Sequence, residues 1–257
     1  MEEKTIIIKN QKAYFRVSGK GYPFLILHGW GSSFVSWEKI QEMLSENYRV
    51  FCPDLPGFGK TKPPENDWGV SDYVDWVLEF TKSQGLNEFI LLGHSFGGRI
   101  SIKFANYYPE KIKDLILCDS AGLKVEPSLN RKIVLGFVGL IKLLFGITFV
   151  SKIKQEMKDL FFFSISSTDY AKANKIMKNV MKRVLAEDLF VYLKGIKSKT
   201  LIVWGEKDKL VPVEHAHVFN SEIKDSQLEI IPNIGHSPHL KSPVKLFNII
   251  SNFLKTK

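Results

Sequence analysis

Short apolar runs punctuate this chain at regular intervals. Phe24-Leu25-Ile26-Leu27 is the clearest, and Arg49–Cys52, Phe89–Leu92, Leu115–Cys118 and Leu201–Trp204 repeat it. A strand covered on both faces reads this way, because neither face needs polar side chains. Thr5–Lys9 and Ala13–Val17 predict two further strands, Leu228–Ile231 predicts a last one, and Ser18-Gly19-Lys20-Gly21 predicts a turn. Between the runs the apolar positions switch to helical spacing. The pattern predicts helices over Val35–Glu46, Val70–Ser83, Gly97–Tyr107, Val213–Asn220 and Pro243–Leu254. Strands that alternate with helices imply βαβ units and a mostly parallel sheet, an α/β fold.

The alternation breaks once. From about Ser120 to Gly195 the periodicity is helical and no buried-strand run occurs. This predicts a core formed by residues 1–119 and 196–257, with 120–195 inserted as a helical cap. An insertion at the carboxyl edge of a parallel sheet stands over the place where such sheets bind ligands.

Composition adds limits rather than direction. The chain has 257 residues, 44% hydrophobic and 25% charged, an ordinary globular balance that excludes a disordered polymer. The net charge is +9, and residues 120–195 carry 11 Lys and 2 Arg against 3 Asp and 3 Glu. No Arg-rich cluster interleaved with aromatics accompanies it, so a solvated lysine surface is expected and no nucleic-acid partner. Cys52 and Cys118 each end an apolar run and read as buried thiols. With a charged N-terminus and no secretory pattern, they suggest a reducing, cytoplasmic setting. Ile133–Val150 is apolar enough to require a membrane check, but Lys142 sits in its middle and Gly136, Gly139 and Gly146 weaken it as an isolated helix. A buried or lid-like helix is expected there, without stable membrane insertion. Nothing in the pattern separates a monomer from a homodimer.

The chemistry concentrates in three places. Gly93-His94-Ser95-Phe96-Gly97, followed by Gly98, comes directly after one apolar strand and directly before a helix. A serine on so tight a strand–turn–helix bend projects above the sheet edge, beside the unpaired N–H groups of a helix start. A serine hydroxyl needs a base. His236, in Asn233-Ile234-Gly235-His236 just past the last strand, is the candidate, with His239 as the fallback. The base needs an acid to orient it. Asp208 lies in a loop at the same sheet edge, and Asp119, which ends a core strand, is its rival unless it only caps the next segment. Two N–H donors should face the developing oxyanion. Phe96 supplies one, and Trp30, in the loop His28-Gly29-Trp30-Gly31, is the candidate for the other. The His28 side chain is expected to be buried and hydrogen-bonded. Asp54-Leu55-Pro56-Gly57-Phe58-Gly59-Lys60-Thr61 lacks phosphate-cradle spacing, and no H-E-x-x-H, C-x-x-C or G-x-G-x-x-G occurs. No metal and no cofactor are expected.

Taken together, these motifs and Trp204-Gly205-Glu206-Lys207-Asp208 resemble the α/β-hydrolase superfamily along the whole chain. The resemblance implies an eight-stranded, mostly parallel sheet flanked by helices, with a helical cap inserted after the sixth strand. It implies Ser95, Asp208 and His236 as a catalytic triad, with Trp30 and Phe96 at the oxyanion hole. Ser95 stands where epoxide hydrolases and haloalkane dehalogenases carry aspartate, which sets those relatives aside. Lys241 occupies a position that is acidic in many relatives. The expected activity is hydrolysis of small to medium apolar carboxylic esters through an acyl-enzyme on Ser95. Carbon–carbon bond hydrolysis of ring-cleavage products, lactone hydrolysis, a slow-turnover receptor on the same scaffold and a lid-bearing lipase are the alternatives. Trp30 with Phe137, Phe145 and Phe162 of the cap would line an apolar substrate pocket. Arg131, Lys132 and Arg183 could hold a substrate carboxylate.

Overall fold

A computed structural model describes residues 1–124 and 175–255. Eight strands form one sheet: β1 (Glu2–Ile8), β2 (Gln11–Ser18), β3 (Tyr22–Leu27), β4 (Tyr48–Pro53), β5 (Phe89–His94), β6 (Ile112–Cys118), β7 (Lys199–Gly205) and β8 (Ser226–Ile231). Their spatial order is β1-β2-β4-β3-β5-β6-β7-β8. β1 and β2 pair antiparallel, β2 meets β4 antiparallel, and every later pairing is parallel.

The period-two geometry of a strand explains the apolar runs. Phe24, Ile26, Val50, Cys52, Ile90, Leu92, Ile116, Leu201 and Val203 belong to one buried cluster. Their neighbours Leu25, Leu27, Phe51, Leu91, Leu115, Leu117, Ile202 and Trp204 belong to the other. The first face is covered by α1 (Glu38–Leu44) and α8 (Pro243–Lys255), which bury Ile40, Leu44, Leu246, Ile250 and Phe253. The second is covered by α2 (Val70–Ser83), α3 (Phe96–Tyr107) and α6 (Glu214–Glu222). The first predicted helix, over 35–46, begins with a 3-10 turn at Phe34–Trp37, capped by the Ser33 hydroxyl, before α1 takes over.

Three more helices belong to the described chain, α4 (Lys175–Ala186), α5 (Phe190–Leu193) and α7 (Pro238–Lys241), with a 3-10 turn at Pro109–Lys111. α4 buries Met177, Val180, Met181 and Val184, and Met177, Val180 and Val184 join the cluster on the α2–α3 face. The Leu189 N–H donates to the Gly122 carbonyl, which returns the chain to the core before β7. Phe137, Phe145, Phe162, Arg131, Lys132 and the apolar stretch 133–150 lie outside the described residues. Among the described residues no helix is long and apolar enough to cross a membrane.

Candidate active site

The site lies at the carboxyl ends of the central strands. β5 ends at His94, and Ser95 turns the chain into α3 with φ 51° and ψ −111°. A non-glycine residue in that region is strained, and surrounding structure must hold it. The glycines of the motif show how tightly. A Cβ on Gly97 would stand 2.1 Å from the Leu27 carbonyl oxygen of β3, and one on Gly93 2.3 Å from the Ser101 hydroxyl. Ser95 is held at both backbone groups: its N–H donates to the Cys118 carbonyl, and its carbonyl accepts from Arg99 and Ala121.

His236 reaches this serine. Its Nε2 lies 2.9 Å from the Ser95 hydroxyl, and its Nδ1 lies 2.7 Å from Asp208 Oδ2. The other Asp208 oxygen accepts the N–H groups of Leu210 and Val211, at 2.8 and 3.0 Å. The Trp204 indole N–H, bonded to the Val211 carbonyl, closes the same loop. The loop bearing His236 is pinned alongside it. Lys207 N–H donates to the Ile234 carbonyl, and the exposed Glu206 accepts the Asn233 N–H. Gly205 is required there, since a Cβ would stand 2.3 Å from the Gly235 carbonyl oxygen.

The fallback histidine has a different place. His239 is buried and stacked on Trp37, with ring centroids 4.3 Å apart, and it packs against His94 at 4.5 Å. Burial pushes its pKa down to about 3. His94 is buried too, and burial holds it well below the ordinary histidine range. Neutral His94 donates Nε2–H to the His236 carbonyl at 2.8 Å, and its ring lies 5.0 Å from that of His236. Trp37, His239 and His94 thus form a backing for the His236 loop. Sequence reasoning gave none of the three this part. The signal was faint: a histidine beside the serine, and one three residues past His236.

Asp119 also departs from its expected alternatives. The His236 ring nitrogens go to Asp208 and Ser95, not to Asp119, and Asp119 does not cap a following segment. It is fully buried, with φ 42°, and its Oδ1 accepts the Gly205 N–H at 2.8 Å, which ties the end of β6 to the end of β7. Ligand atoms of His94, Asp119 and His236 lie within 4.8 Å of one another, a spacing that could hold a metal ion. His236 already commits both ring nitrogens, so a metal there would compete with the serine and the aspartate.

The loop after β3 stands over the serine, with Gly29 packed where a Cβ would be 3.3 Å from Ser95 Cβ. His28 is buried, as expected; its Nε2 accepts the Leu55 N–H, and burial lowers its pKa to about 4. Asp54 accepts N–H groups from Phe34 and Lys60, so the Asp54–Lys60 motif serves as a structural clasp. The Trp30 ring packs on Phe58 and Phe96 at 4.8 and 5.3 Å, and Phe96 packs on Tyr73 at 4.9 Å. This aromatic wall borders the serine. Arg183 is exposed on α4.

A strained serine, a histidine and an aspartate in one hydrogen-bonded line form an arrangement able to activate a hydroxyl. A family model of the alpha/beta hydrolase fold matches residues 22–243. The chain belongs to the α/β-hydrolase fold family. Within it, the chain is 30% identical to the 2-hydroxy-6-oxo-6-(2'-aminophenyl)hexa-2,4-dienoic acid hydrolase of Metapseudomonas resinovorans, over 93% of this chain and 86% of that one. It is also 30% identical to the pimeloyl-[acyl-carrier protein] methyl ester esterase of Wigglesworthia glossinidia brevipalpis, over 94% of this chain and 97% of that one. A solved serine hydrolase involved in carbazole degradation superposes with a TM-score of 0.76 at 26% identity, covering 100% of this chain and 99% of that one. Esterases, lipases and carbon–carbon bond hydrolases thus share this α/β-hydrolase scaffold.

Proposed function

We propose that the protein is a serine hydrolase that cleaves carboxylic esters of small to medium apolar substrates through an acyl-enzyme on Ser95. The unbroken line Ser95–His236–Asp208, with separations of 2.9 and 2.7 Å, carries this reading. His236 takes the hydroxyl proton at Nε2 as Ser95 attacks the ester carbonyl. Asp208 holds Nδ1–H and stabilises the imidazolium. The Phe96 N–H, unpaired in the first turn of α3, and the Trp30 N–H face the oxyanion. His236 returns its proton to the leaving alcohol. Water then attacks the acyl-enzyme with His236 again as base. The aromatic wall of Trp30, Phe58 and Phe96 suits an apolar acyl group, and the cap residues Phe137, Phe145 and Phe162 would complete the pocket. The esterase relative at 30% identity supports the ester as substrate class.

Hydrolysis of para-nitrophenyl esters of rising acyl length, with Ser95→Ala beside the wild type, tests the reading. Turnover should fall about 10⁴-fold or more in the variant, the usual cost of losing a nucleophile that acts with its base as a unit. The acyl length at the optimum measures the pocket. Full activity in the variant contradicts the reading. A wild type inactive on every ester but active on a ring-cleavage product assigns the triad to carbon–carbon hydrolysis instead.

A further inference from the structure

His94 joins the two halves of the site. Its backbone continues into the strained Ser95, and its side chain reaches across to the loop of the base, where Nε2 lies 2.8 Å from the His236 carbonyl oxygen. A carbonyl can only accept, so Nε2 carries the hydrogen and Nδ1 is left as the acceptor. That Nδ1 is buried with no donor from any described residue. It lies so close to Gly29 that a Cβ there would stand 2.8 Å away. An unpaired buried acceptor lowers stability, so packing alone would favour an apolar side chain at this position. The ring is also fixed in its orientation, because Trp37 and His239 pack against it at 5.9 and 4.5 Å.

We propose that His94 is a positioning residue for the base: its Nε2–H holds the His236 carbonyl, and this bond keeps the imidazole in line once the serine hydroxyl no longer does. The inference rests on the triad reading above and deepens it. Before reaction three bonds place His236, to Ser95 at 2.9 Å, to Asp208 at 2.7 Å and from His94 at 2.8 Å. Acylation removes the first. The Ser95 oxygen bonds to the acyl carbon, the alkoxy bond breaks, and the hydroxyl proton leaves with the alcohol. Nε2 must then take a proton from water as that water attacks the acyl carbon, and return it to the Ser95 oxygen when the acid departs. Asp208 fixes one point of the ring, and a ring held at one point can swing. The bond from His94 to the backbone that carries the ring supplies the second point. The ties upstream in the loop fall at Ile234 and Asn233, two and three residues before His236.

His94→Met and His94→Gln separate this bond from simple packing. The two side chains have nearly the same length and shape, and only glutamine carries an N–H₂ that can donate to the His236 carbonyl. The experiment is steady-state ester hydrolysis by wild type and both variants, at a temperature where thermal unfolding shows each of them folded. His94→Met should lower kcat about 10²-fold, the scale of a catalytic group misplaced by about 1 Å, without raising KM. His94→Gln should return kcat to within tenfold of wild type. Equal kcat values in the two variants, or a loss carried by KM alone, overturn the proposal. His94→Leu, equally without a donor, takes the place of methionine in the comparison if that variant does not fold. Labelling of Ser95 in the wild type by a fluorophosphonate is read in parallel. Absence of that label rejects the triad reading itself, whereas a label with equal kcat values in the two variants rejects only the role of His94.

Discussion

At the scale of single residues, the site depends on how each polar atom is committed. Ser95, His236 and Asp208 were legible in the sequence, because each sits in a short motif just past an apolar run. Each motif places its residue at the carboxyl end of a strand, and the parallel pairing of β5 through β8 brings the three together. Asp119 and His94 were not legible in their actual parts. Asp119 bonds to Gly205 across 86 residues, and His94 bonds to His236 across 142. Neither pairing leaves a local mark, since each exists only because β5, β6, β7 and β8 lie side by side. His239 could be told from His236 only once Trp37 was seen to take its ring.

At the scale of elements, the central strands were legible because burial on both faces turns them into apolar runs. Their ends were not. β6 begins at Ile112, three residues before the apolar run, and carries Lys113 and Asp114. Ladder hydrogen bonds need only the backbone, so a strand continues wherever its neighbour does. The start of α3 is set by an approach too close for any side chain. Gly97→Ala would place a methyl 2.1 Å from the Leu27 carbonyl oxygen, backbone that cannot rotate away. Overpacking of this kind costs about 1–3 kcal/mol and occasionally more. Gly97→Ala should therefore lower the denaturant midpoint and weaken turnover together, because the same shift moves Ser95. An unchanged midpoint in urea would show that β3 and α3 have slack the geometry denies.

At the scale of the whole molecule, strand order was accessible only through family resemblance. The order β4-β3-β5 reverses direction along the sheet, and no pattern within a single strand encodes its neighbours. The buried titratable groups have a global consequence. His28 and His239 are held down to about 4 and 3, and His94 also lies well below the ordinary range, all through burial. An unfolded chain protonates all three near pH 6.5. A group with a lowered folded pKa stabilises fully above its unfolded pKa and loses that contribution as pH falls. Asp119 and Asp54, pushed up by burial, act in the opposite sense, since the folded state holds their protons longer. Three histidines against two carboxyls leave the unfolded chain binding more protons between about pH 6 and 4, and each net proton is worth about 1.4 kcal/mol per pH unit. Urea unfolding at stepped pH should show stability falling over this window. Stability that is flat or rises toward pH 4 would mean the histidines charge within the fold.

The central claim is that Ser95 is the nucleophile, activated by His236. Mass spectrometry of the protein after reaction with a fluorophosphonate, comparing wild type, Ser95→Ala and His236→Ala, tests it most directly. A single adduct on Ser95, absent from Ser95→Ala and formed far more slowly in His236→Ala, is the predicted result. An adduct on another residue, or a labelling rate indifferent to His236, would contradict it.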